Sequence, residues 1–103
     1  MAEILNNNNF ESEVENGVVV VDFFATWCGP CKMLAPVFEE LGNEMNESAK
    51  FVKVDIDQSM EIARKFMVST VPTMMIFKDG KQVDTMVGFM PKDSIKAKVE
   101  AHI

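Results

Sequence analysis

Apolar residues recur along this chain with two different periods, and the alternation between them lays out the fold. Val18 to Ala25 is nearly continuous hydrocarbon, broken by Asp22, and reads as a strand buried on both faces. From about Cys31 to Met45 the period changes. Leu34, Val37, Phe38, Leu41 and Met45 fall on one helical stripe. Phe51 to Ile56 alternates Val52, Val54 and Ile56 against Lys53 and Asp55, a second strand. A short helix is expected from about Ser59, carrying Ile62, Ala63 and Phe66.

Thr73–Lys78 and Lys81–Val87 read as strands joined by Asp79-Gly80, a two-residue pair suited to a tight hairpin. Ile95 and Val99 mark a last helix, with Pro91 near its first turn. At the other end, Ile4-Leu5 supply a short leading strand. Asn6 to Asn9 read as a helix entry ahead of Phe10 and Val14, and Gly17 ends that helix. The order β-α-β-α-β-α-β-β-α requires crossovers, so the expected class is α/β. A mixed sheet carries helices on both faces and an antiparallel hairpin at one edge.

With 103 residues, of which 48% are hydrophobic and 25% charged, residues 1–103 are expected to form a single globular domain. Sixteen acidic against ten basic side chains leave a net charge of −6. That balance repels phosphate backbones and anionic membranes, so nucleic acid is not an expected partner. The segment after Met1 has neither a basic nor an extended apolar region, and Val18–Val21 is too short to cross a bilayer. A cytoplasmic protein without a membrane partner is expected.

Candidate chemistry concentrates in Trp27-Cys28-Gly29-Pro30-Cys31-Lys32, where the buried strand gives way to the long helix. A helix start presents unpaired N–H groups and a partial positive charge. Sulfur held there is favoured as thiolate, the attacking species. Cys28 is therefore the expected nucleophile, with Cys31 one turn deeper to resolve a mixed disulfide. Pro30 suits a helix start, Gly29 leaves the approach open, and both are expected to tune the bridge. Half of a zinc site is the competing reading of such a pair. A structural zinc needs about four ligands, and His102 is the only histidine, with no further cysteine. No metal is expected.

Asp22 interrupts the apolar strand, six residues before Cys28. Burial disfavours its ionised form and raises its pKa, which suits proton exchange with Cys31. Lys53, alternating out of the Val52–Val54–Ile56 face, is a possible pairing partner for Asp22.

The stretches Val-Asp-Phe-Phe-Ala-Thr-Trp-Cys-Gly-Pro-Cys-Lys from Val21, Lys53-Val54-Asp55-Ile56-Asp57, Val71-Pro72-Thr73, Phe77-Lys78-Asp79-Gly80 and Val87-Gly88 resemble the thioredoxin family. The likeness runs over essentially the whole chain. It implies the thioredoxin fold, a central mixed sheet of about five strands flanked by about four helices, with the Val18–Ala25 strand at its centre. It implies protein disulfide reduction, with attack by Cys28, resolution by Cys31, proton transfer to Asp22 and Lys53 near that carboxylate. It further implies a cis Val71–Pro72 bond and a docking surface of Trp27, Gly29, Pro30, Val71, Pro72, Thr73, Gly88 and Phe89. Disulfide-bearing protein substrates and a flavin-dependent thioredoxin reductase are the implied partners of a monomer with no bound cofactor. Phe24 and Phe89 depart from the family pattern, which often carries a second Trp at the first position and a small residue at the other.

Two other readings of the chain stay open on sequence grounds. One is an oxidase or isomerase of disulfides; the other is a docking module indifferent to redox state.

Overall fold

Why the chain can bury a strand on both faces is visible in the sheet order. The computed structural model describes residues 2–103. Among them the strands are β1 (Glu3–Leu5), β2 (Val18–Phe24), β3 (Lys50–Asp55), β4 (Thr73–Lys78) and β5 (Lys81–Val87). The helices are α1 (Phe10–Glu13), α2 (Gly29–Glu44), α3 (Met60–Lys65) and α4 (Lys92–Glu100). One sheet runs β1-β3-β2-β4-β5, so the apolar β2 is its middle strand. β1 and β2 pair parallel with β3, while β4 is antiparallel to both β2 and β5.

Alternation along β2 divides its side chains between two cores. Val19, Val21 and Phe23 join Leu5, Phe10, Val14, Val52, Val54, Ile62, Met75 and Phe77 under α1 and α3. Val20 joins Leu34, Phe38, Leu41, Phe51, Met74, Ile76, Ile95 and Val99 under α2 and α4. Since pleating alternates, Asp22, Phe24 and Lys53 share the α2/α4 side of the sheet with Val20 and Phe51. Rings of Phe10, Phe66 and Phe77 meet at centroid distances of 5.3 to 5.6 Å on the other side.

Boundaries differ from the sequence expectation in instructive ways. α2 starts at Gly29, which makes Cys28 its N-cap, and it continues through Pro36. The Asn run does not cap α1 in the simple sense. Asn9 makes no side-chain bond to the helix. Its Oδ1 accepts from the Asn6 N–H at 2.8 Å, while Asn6 Oδ1 accepts from the N–H groups of Asn8 and Asn9. Asn7 reaches further: its Oδ1 accepts the Ile62 N–H at 3.3 Å, at the third position of α3. The native cap of that helix, Ser59, makes no such bond. A loop residue 55 positions away thus takes up an orphan donor of the helix start.

At its other end α3 closes in a Schellman turn. The Val68 N–H donates to the Ala63 carbonyl at 2.9 Å, and the Met67 N–H donates to Arg64 at 3.1 Å. Met67 occupies the left-handed position there, with φ +55°. The β4–β5 hairpin turns through Asp79-Gly80 as expected. Asp79 also ties that turn to Gly17 through bonds of 2.8 and 2.9 Å.

Candidate active site

β2 runs into the sheet centre and stops at Phe24, and the next residues deliver Cys28 to the mouth of α2. Extended backbone at Cys28 (φ −90°, ψ 116°) turns its side chain back over the first helical turn. The Cys31 N–H donates to Cys28 Sγ at 3.2 Å. A capping position that serine or aspartate commonly fills with oxygen is here filled by sulfur. Helix N–H groups and dipole therefore favour negative charge on that sulfur. Pro30 sits in the first turn, where its missing N–H leaves nothing unsatisfied.

Cys28 and Cys31 are joined as a disulfide, with Cα atoms 5.3 Å apart, inside the usual range for a bridge. Both are 4% exposed in this bridged state, so Cys31 is no more shielded than Cys28. Cys28 Sγ lies 3.6 Å from the Val71 carbonyl oxygen. The Val71–Pro72 peptide bond is cis. Among the described residues no backbone group bonds the Val71 N–H or its carbonyl. Gly88, at φ +88°, donates its N–H to the Pro72 carbonyl at 2.8 Å and so ties the end of β5 to the same loop. Trp27 and Phe89 are exposed, Val71 is half-buried, and Pro72 and Thr73 are buried.

Asp22 is fully buried, and neither carboxylate oxygen has a hydrogen-bond partner. Desolvation pushes its pKa up from 3.8 to about 7, and the Lys53 ammonium opposes that shift. The expected pairing of Lys53 with Asp22 is corrected here. The two residues are in register on β2 and β3, yet Lys53 makes no hydrogen bond to the carboxylate. Its Nζ lies 4.5 Å from the centroid of the Phe24 ring instead. The reason is physical: the negative face of the Phe24 ring attracts the ammonium and holds it there rather than over the carboxylate.

One contact at the site carried no expectation. The Trp27 indole N–H donates to Asp57 Oδ2 at 2.8 Å, pinning the exposed ring across the β3–α3 loop. Asp57 belongs to the Lys-Val-Asp-Ile-Asp stretch, but no local pattern ties it to Trp27, 30 positions away. Asp55 stiffens the same loop, its Oδ1 accepting from the N–H groups of Asp57 and Gln58. Among the described residues no group of three His, Cys, Asp or Glu side chains is placed to hold a metal ion. No helix of the described residues is long and apolar enough to cross a membrane.

Comparison with known proteins meets this geometry from outside. The family model described as Thioredoxin matches residues 1–101. The thioredoxin of Staphylococcus saprophyticus is 46% identical over 97 residues, covering 94% of this chain and 93% of that protein. That of Bacillus subtilis is 47% identical with the same coverage. Among solved structures, Plasmodium falciparum thioredoxin superposes with a TM-score of 0.91 at 36% identity, covering 99% of this chain and 100% of the other. Malassezia sympodialis thioredoxin gives a TM-score of 0.88 at 37% identity, with coverage of 99% and 90%. A sulfur-capped helix, a bridged dithiol and a matched sequence throughout place the chain in the thioredoxin family, as a thiol–disulfide oxidoreductase that reduces protein disulfides through Cys28 and Cys31.

Proposed function

We propose that residues 1–103 act as one domain and divide the labour of disulfide reduction as follows. In the reduced protein the Cys28 thiolate attacks one sulfur of a substrate disulfide, and the departing substrate sulfur leaves as thiolate. Cys31 then loses its proton toward Asp22 and attacks Cys28, releasing the second substrate thiol and forming the Cys28–Cys31 bridge. Two electrons returned by a thioredoxin reductase reopen the bridge. Lys53 tunes the carboxylate from a distance, and Gly29 and Pro30 tune how readily the bridge is reduced. No bound cofactor is required, because the dithiol itself carries the electron pair.

The observation that carries this assignment is the 3.2 Å bond from the Cys31 N–H to Cys28 Sγ. It supports anionic charge on the first sulfur and sets the second one turn behind it. An aspartate with no partner and a pKa near 7 is matched to accept a proton at neutral pH. Docking is assigned to Trp27, Gly29, Pro30, Val71, Pro72, Thr73, Gly88 and Phe89. A substrate segment in extended form can pair with the Val71 backbone, which no other backbone group among the described residues bonds, as an added strand. We assign the protein to the cytoplasm as a monomer, with disulfide-bearing proteins and the reductase as partners and neither nucleic acid nor membrane among them.

The test is reduction of insulin disulfides with dithiothreitol as electron source. The wild type accelerates it, and Cys28→Ser reduces the rate to that of dithiothreitol alone. Full activity in Cys28→Ser overturns the assignment.

A further inference from the structure

Lys53 faces a choice of two partners on β2, and the structure records which it takes. Asp22 is its register partner, and Phe24 lies one pleat further toward the dithiol, on the same side of the sheet. A four-carbon side chain reaches either. The ammonium sits over the half-buried Phe24 ring at 4.5 Å, and both oxygens of Asp22 are left without a partner. The ring also borders a depression of about 220 Å³, lined with it by Cys31, Lys32, Ala35 and Lys53. Lys53 is half-buried at that opening.

We propose that Phe24 is a positioning residue, its ring face holding the Lys53 ammonium at the mouth of the dithiol flank and off the Asp22 carboxylate. The proposal rests on the reading of Asp22 as proton acceptor for Cys31. An acceptor must take up and release a proton during each cycle. A direct ion pair would lock it as carboxylate and weaken it as a base. The cation–π contact prevents that lock while leaving the positive charge close enough to be felt. The charged and titratable groups facing this region are Lys53 and Asp55 from β3 and Cys31 and Lys32 from α2, and Lys53 is the one whose field opposes the rise at Asp22.

The experiment is a carboxyl-carbon NMR titration of Asp22 in wild type, Phe24→Leu and Phe24→Trp, each also in a Lys53→Gln background, alongside the pH profile of insulin reduction. Without the aromatic face Lys53 relaxes onto the carboxylate, so Phe24→Leu lowers the Asp22 midpoint by roughly 0.5–1 unit. The acid limb of the pH profile follows it. Phe24→Trp, which keeps an aromatic face, retains the wild-type midpoint. In the Lys53→Gln background Phe24→Leu leaves the midpoint where it is, which a mere loosening of the site that admits water would not. A midpoint in Phe24→Leu that is unchanged or higher overturns the role of Phe24, as does an equal fall without Lys53, and either result leaves the Asp22 reading standing. A wild-type titration in the ordinary carboxylate range removes Asp22 as acceptor, and the proposal with it.

Discussion

The two sides of the sheet are built to different rules. Under α1 and α3 the core cluster is hydrocarbon and aromatic, with Phe10 and Phe66 each in ring contact with both Phe23 and Phe77. Under α2 and α4 the same strands carry a buried, unpartnered carboxylate and a lysine held by an aromatic ring. Both strands contribute to both sides, so composition does not explain the contrast. On the proposed mechanism, the side beneath the dithiol helix keeps groups that reduce stability because the chemistry uses them. The other side supplies the packing that tolerates them.

That contrast can be broken most sharply at Phe77, which is 1% exposed at the centre of the aromatic side. Phe77→Ala removes its ring contacts and leaves a cavity, a loss of about 3–5 kcal/mol. Urea denaturation measures it, and the fraction still folded retains its disulfide-reducing activity.

Asp22→Asn works in the opposite direction. At pH 3 the folded and unfolded chains both hold the Asp22 proton. Between 3.8 and about 7 the unfolded chain releases it and the folded one does not, so wild-type stability falls as pH rises through that window. The loss is complete above the folded value and amounts to roughly 4 kcal/mol. Asp22→Asn lacks this decline. Urea denaturation at pH 4 and pH 8 therefore shows its advantage over wild type growing by about that amount, while insulin reduction slows.

The smallest effect is at Met67, an 83% exposed side chain at φ +55° that closes α3 on the aromatic side. A side chain in the left-handed region is strained and glycine is not. Met67→Gly is expected to stabilise by ~0.5–1 kcal/mol after the greater freedom of glycine in the unfolded chain is counted. Thermal unfolding shows it as a rise of roughly 2–8 °C for a domain of this size.

Much of this was readable along the chain because the signals were local. The continuous apolar run of β2, the helical stripe of α2 and the Asp79-Gly80 turn each announce their element within a few residues. Cys28, Cys31 and Asp22 stood out for a similar reason: a reactive pair at a strand-to-helix junction and a charge inside a buried strand are conspicuous in sequence. What stayed hidden depends on distance in sequence. Asp57 meets Trp27 across 30 positions, and Asn7 caps α3 across 55. Neither leaves a trace in periodicity or spacing. Lys53 shows the subtler case. Its strand and side of the sheet follow from alternation, but its choice of Phe24 over Asp22 turns on where the packed core sets ring, ammonium and carboxylate relative to one another.

The central claim, that Cys28 is the attacking sulfur, is tested most directly by trapping the mixed disulfide. Reduced Cys31→Ser is incubated with insulin, and the covalent product is mapped by mass spectrometry. The account predicts a stable adduct on Cys28 that dithiothreitol releases, and no comparable adduct when Cys28→Ser is used. An adduct forming equally fast through Cys31 in Cys28→Ser would contradict it.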